Sequence, residues 1–301
     1  MTQLASRDIR SPIGQAVDAD DWRCVPNLLL SGRKMTLFDI NSDEGWILNL
    51  CEGPSLEKFP HESPLHRAAF MGDTTAVRNC LRRGDSASLR DQEGWTPLHF
   101  AALGGHVAVA EQLIQNRAEV HCQNKRLETP LHWAARRGYD QLLVLLLKHG
   151  ARVNASNDRG FTALHWAASE AFTSSVHLLL QNEADPSATN CYDATPLHWA
   201  AKDGLRDITQ LLLREGARLH IQNRMGFSPL HWAVSANDLS LVRQLIRQGA
   251  PLDCQDINGS TPLHMAAKLG SSSIVQTLVK GGANTNILDA QGWTPLHYAS
   301  L

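Results

Sequence analysis

From Ser63 onward, apolar side chains recur at helical spacing in two short runs per copy of a pattern that returns at one constant interval, that from Ser63 to Thr96. Polar stretches rich in glycine, asparagine and aspartate separate the runs. In the copy beginning at Thr96, Leu98, Ala101 and Ala102 fall on one face of a helix predicted over Pro97 to Gly104. The alanines are small enough to let neighbouring helices approach closely. Gly105-His106 then breaks the chain direction. VAVAEQLIQN, DQLLVLLLKH and RDITQLLLRE predict a second helix in three of the copies. The residues at the helix starts suit their places: Thr as N-cap, and Pro at the first helical position, where no hydrogen bond is lost. His at the third position can reach back to the cap, as Glu or Gln does in a capping box. Gly150, Gly216, Gly249 and Gly282 stand where a left-handed C-terminal cap belongs. Arg117 and Glu183 take that place in two copies, each at a cost of about 1 kcal/mol or less.

Eight anchors mark the copies: SPLH at Ser63, TPLH at Thr96 and Thr129, TALH at Thr162, TPLH at Thr195, SPLH at Ser228, and TPLH at Thr261 and Thr294. They account for eight of the 14 histidines, namely His66, His99, His132, His165, His198, His231, His264 and His297. A fixed period of this length signifies a stacked array rather than separate domains. Over residues 63–301, in unbroken register, the anchors resemble the ankyrin-repeat family. The resemblance implies an all-α solenoid in which each repeat is a β-turn finger followed by two antiparallel helices. It places repeats at about 60–89, 93–122, 126–155, 159–188, 192–221, 225–254 and 258–287, with a truncated copy at 291–301. Residues 1–62 read as an N-terminal cap. They hold a decayed repeat at about 11–35, where Gly14 replaces the histidine and Pro26 interrupts the second helix, followed by an insertion. Six basic and ten acidic side chains make this end polar and acidic, as a solenoid cap should be.

Composition narrows the function. With 28 basic and 30 acidic side chains the net charge is −2, so the general electrostatic footprint of a nucleic-acid binder is missing. The longest aliphatic run, Leu142 to Leu147, is far short of the roughly 20 residues of a membrane span. MTQLASRDIRSP lacks the apolar stretch of a secretory signal. The six cysteines, at 24, 51, 80, 122, 191 and 254, form no CxxC and no close pair. These features predict an intracellular protein, cytoplasmic or nuclear, acting as a monomer without a cofactor.

Fragments that imitate chemical motifs fail on spacing. In His61-Glu62-Ser63-Pro64-Leu65-His66 the second histidine falls one residue late for HExxH, and Pro64 would break the helix that presents both ligands. Asp256-Ile257-Asn258-Gly259 imitates a calcium loop, but Cys254 and Met265 occupy acidic positions, so a turn at a finger tip is the better assignment. There is no GxGxxG, GxxxxGK or GxSxG. Neither metal ligands nor catalytic residues are expected. Asn154, in LLLKHGARVNAS, resembles the loop asparagine that an asparaginyl hydroxylase modifies in many ankyrin repeats; Leu146 and Val153 match, and Arg152 replaces the usual acidic residue. An asparagine holding its loop by side-chain hydrogen bonds is the simpler explanation.

The family binds other proteins through finger tips and the exposed face of the first helix. On the helical wheel, positions four, seven and eight after the anchor residue lie opposite the buried Leu and Ala pair. The first is Trp133, Trp166, Trp199 and Trp232 in four successive copies. These rings pack as framework between adjacent repeats or, on the non-core side where the wheel puts them, touch a ligand. Arg136, Arg137 and Lys202 share that face, and Trp95, Lys125, Arg126, Arg159, Phe161, Tyr192, Met225 and Phe227 fall in the fingers. From Lys125 to Gly160 seven basic residues oppose three acidic ones. Arg and Trp often anchor interfaces. The expected function is therefore non-catalytic protein binding, as scaffold or adaptor, to an acidic or phosphorylated segment, with a basic rim around Trp133. A masking or inhibitory subunit, or the recognition part of a larger ubiquitin-ligase adaptor or enzyme, is the alternative.

Overall fold

A computed structural model describes residues 63–300 of the chain; the decayed repeat expected at about 11–35 and its insertion lie outside these residues. Fifteen helices follow one another among the described residues. In chain order they are α1 (Pro64–Met71), α2 (Thr74–Arg82), α3 (Pro97–Gly104), α4 (Val107–Gln115), α5 (Pro130–Arg137), α6 (Asp140–Lys148), α7 (Ala163–Ser169) and α8 (Thr173–Gln181). They continue as α9 (Pro196–Lys202), α10 (Arg206–Arg214), α11 (Pro229–Ser235), α12 (Leu239–Arg247), α13 (Pro262–Lys268), α14 (Ser272–Lys280) and α15 (Pro295–Ala299). Odd-numbered helices pack on the next odd-numbered helix, even on even, so each copy adds one inner and one outer helix to an all-α stack. The inner face is dry because the leucine and the later apolar pair of the anchor helices α1 to α13 are excluded from solvent, as with Leu98, Ala101 and Ala102, whereas Leu296 in α15 is 76% exposed. Outer helices bury one stripe, for example Leu142, Leu143 and Leu146 of α6.

Caps fall where expected. α5 starts at Thr129 with Pro130 in its first turn and ends at left-handed Gly138. Any side chain at 138 would collide with the Phe172 ring, about 2.5 Å from where a Cβ would sit, so two independent constraints select glycine there. Arg117 and Glu183 adopt φ of 66° and 65°, the left-handed cap conformation that glycine holds in the other copies.

The anchor histidines do more than cap. The Thr96 backbone N–H donates to Nδ1 of His99 at 3.1 Å, so that nitrogen carries no proton. Nε2–H then donates to the Glu128 carbonyl, in the next copy, at 2.9 Å. His132, His165, His198, His231 and His264 repeat both bonds, to Phe161, Ala194, Phe227, Ser260 and Trp293. Each neutral imidazole thus ties its own helix start to the finger of the next repeat, each such bond contributing about 1 kcal/mol. Burial holds His99, His132, His165, His198 and His231 down at about 4.

Candidate protein-binding surface

Every finger is built on one buried or half-buried Asx residue. Asn124 Oδ1 accepts from the N–H groups of Arg126 and Glu128, both at 2.9 Å. Asn157, Asn190, Asn223 and Asp256 do the same in the following copies, and Asp91 in the preceding one. This column recurs once per copy from Asp91 to Asp289 and could have been read from the sequence as a spaced Asx-turn signal. Fingers are also joined to one another. The carbonyls of Glu93, Arg126, Arg159, Tyr192, Met225 and Asn258 each accept a backbone N–H of the next finger at 2.8–3.1 Å. The finger row is therefore a rigid, registered edge.

Behind it the aromatic residues form a continuous column. Trp95 lies 5.3 Å from Phe100 and 4.9 Å from Trp133. The Arg136 guanidinium sits 5.3 Å from the Trp133 ring and 4.5 Å from the Trp166 ring. Phe161 stacks on Trp166 at 5.0 Å and reaches Trp199 at 6.0 Å. Lys202 Nζ lies 5.5 Å from both Trp199 and Trp232, and Phe227 closes the series 5.4 Å from Trp232. Ring pairs of this kind add about 0.5–1.5 kcal/mol each, and a desolvated cation on a ring about 2 kcal/mol.

This column decides between framework packing and ligand contact for the four tryptophans, and removes them from the candidate contact residues. Trp133, Trp166, Trp199 and Trp232 are only 5, 2, 5 and 6% exposed, and Trp95, Phe161 and Phe227 are buried as well. A wheel counts only the neighbours within one helix, whereas here the residue just before the anchor, from the same or the preceding copy, covers the ring. Framework packing is the outcome. Arg136, expected on the open face, is 7% exposed because it lies against the Trp133 and Trp166 rings. Its charge is shared with Glu128, whose buried carboxyl is pushed above the usual range by desolvation, against the pull of its Asn124 hydrogen bond and of Arg126 and Arg136. The aromatic anchor imagined inside a basic rim is not offered to a ligand.

What remains accessible is the rim itself. Lys125, Arg126 and Arg137 are exposed; Arg159, Tyr192, Lys202 and Met225 are half-buried. Lys125 pairs with Glu93 of the preceding finger at 3.2 Å across an open surface, a contact worth little by itself. Asn154 is exposed and bridges forward rather than closing its own loop. Its Nδ2–H donates to the Glu183 carbonyl at 3.0 Å and its Oδ1 accepts from the Asp185 N–H at 2.8 Å. Ser88, Ser187 and Asp253, at the same repeat position, accept the equivalent N–H. That shared geometry supports a structural role for the asparagine.

The model of the family described as ankyrin repeats (3 copies) matches residues 15–124, 105–190, 173–256 and 230–301. The chain belongs to the ankyrin-repeat family. Ankyrin repeats are protein–protein interaction modules, and the match extends upstream into the acidic N-terminal region where the decayed repeat was expected. No curated protein matches the chain. No helix among the described residues is long and apolar enough to cross a membrane.

Proposed function

We propose that this ankyrin-repeat protein is a non-catalytic scaffold or adaptor that binds an acidic or phosphorylated segment of a partner along its finger row. The supporting observation is the set of accessible guanidinium groups, Arg126 and Arg159 on successive fingers of a hydrogen-bonded row and Arg137 at the end of α5. Arginine forks match carboxylate and phosphate by paired hydrogen bonds. The stiff backbone beneath them lowers the ordering cost of binding.

The test is affinity purification with the full chain, wild type against Arg126→Glu with Arg137→Glu. Arg243→Glu with Arg247→Glu on the exposed side of α12 makes the same charge change elsewhere. Partners should be lost with the first pair, retained with the second, and weakened by salt. Equal partner yields from all three proteins would refute the proposal.

A further inference from the structure

The finger row carries more information than its charge, provided the protein-binding proposal above holds. One residue per finger occupies the same place: Glu93, Arg126, Arg159, Tyr192, Met225 and Asn258. Both backbone groups of each are engaged inside the protein. The N–H of each donates to the Asx side chain of its own finger, as at Arg126 and Arg159, and the carbonyl accepts from the next finger. An incoming strand therefore finds no free backbone edge in this row to extend by β-pairing. Recognition has to run through side chains.

Those side chains change character along the row. Arg126 is exposed and Arg159 half-buried, and neither holds an ion pair among the described residues; Tyr192 and Met225 are half-buried. Glu93, already paired with Lys125, ends the basic stretch on one side, and the neutral Asn258 ends the apolar stretch on the other. Packed helical layers lie about 10 Å apart. An extended chain rises about 3.3 Å per residue, so every third residue meets the next finger. A helical ligand about 10 Å across would also cover the inner-helix line, where Arg137 gives way in the next repeat to Glu170, beside Arg159, so that a continuous acidic face meets charges of both signs.

We propose that the array reads an extended peptide in a three-residue register: two acidic side chains three residues apart opposite Arg126 and Arg159, followed at the same spacing by two apolar side chains opposite Tyr192 and Met225. The shared chemistry at the first two places is an anionic oxygen pair, from a carboxylate or from a phosphate. Tyrosine and methionine offer adaptable apolar surface for the other two.

Fluorescence anisotropy of the full chain with labelled synthetic peptides tests this. The probe has two aspartates and then two leucines, each three residues from the last, in a serine-glycine background, in both chain directions. Controls keep the composition but space the four residues by two, or by seven in a helix-forming background. A further probe replaces the aspartates by phosphoserine. The three-spaced probe in one direction should bind about tenfold or more tighter than the two-spaced control. Arg126→Glu with Arg159→Glu, and separately Tyr192→Ser with Met225→Ser, should reduce it to the control level. Tighter binding of phosphoserine, lost with the arginines, identifies phosphate as the preferred anion; equal or weaker binding identifies carboxylate. Arg126→Ser, at an exposed site, repeats the test should a double variant unfold. Equal affinity for both spacings, preference for the seven-spaced helix, no binding by any probe, or insensitivity to the arginines would overturn the register. If the register fails while partners from cells still depend on Arg126 and Arg137, the binding proposal stands alone.

Discussion

Mild acid should loosen this protein well before its carboxylates titrate. The five imidazoles of His99, His132, His165, His198 and His231 are held at about 4, against about 6.5 in an unfolded chain. A lowered histidine value means that the folded state favours the neutral ring. Its contribution is complete above about 6.5 and is lost as pH falls towards 4. At about pH 5.5 each unfolded imidazole is about 90% protonated and each folded one about 3%. Relative to about pH 7 this removes roughly 1 kcal/mol per residue, or several kcal/mol for the five together. The cause is geometric as well as dielectric, because a proton on Nδ1 would face the backbone N–H that now donates to it. Glu128 and Asp256, whose values burial raises, act in the opposite direction. Urea titrations followed by circular dichroism at the two pH values give the loss directly. Calorimetry in buffers of different ionisation heat should show uptake of about four protons on unfolding at about pH 5.5. An unchanged urea midpoint, or uptake of less than one proton, would refute the assignment of these rings as buried neutral bridges.

Arg136→Glu should lower stability by about 3–5 kcal/mol, because a buried anion would replace the cation between two indoles and face Glu128; thermal melting checks it, and Arg137→Glu should change the midpoint by less than about 0.5 kcal/mol equivalent. Arg117→Gly and Glu183→Gly should each stabilise by roughly 0.5–1 kcal/mol, since both positions are left-handed; a loss in urea titration would count against this. Tyr298, whose hydroxyl donates to Asp289 at 2.7 Å, is pushed up to about 12 by burial and by that carboxylate. Ultraviolet titration should show one phenol ionising late, and Asp289→Asn should bring it back towards the ordinary range.

The repeat period, the helix pairs, their caps and the histidine reach-back were legible because each depends on residues within one copy. What escaped was set between copies. The second nitrogen of each anchor histidine from His66 to His264 bonds to a carbonyl of the following copy, as His99 does to Glu128. The ring of Trp166 is covered by Phe161 on one side and Arg136 of the preceding copy on the other. A helical wheel has no term for either neighbour. The rim residues Lys125, Arg126 and Arg137 are exposed as expected, Lys125 even while paired with Glu93 of the preceding finger. The Asx column was present at fixed spacing, yet its meaning depends on the finger conformation that it creates.

The aromatic column has a hidden parity. Just before the anchor stand Trp95, Phe161, Phe227 and Trp293 in alternate copies, with Glu128, Ala194 and Ser260 between them. Seven residues after the anchor the order is reversed, with Arg136, Lys202 and Lys268 in the copies that lack the aromatic residue, and Leu103, Ser169 and Ser235 in those that have it. Ring and cation therefore take turns filling the gap between successive indoles, and the true brick of this wall is two copies long. Excising one copy, for instance residues 162–194, would place Phe161 directly before Thr195, so that one copy carries both the aromatic residue and Lys202 and the two compete for the gap between Trp199 and Trp232. Excising two, residues 162–227, restores the alternation across the cut. Such a protein should tolerate gain or loss of material in pairs and resist it in single copies, a rule of counting written into its interior rather than its surface.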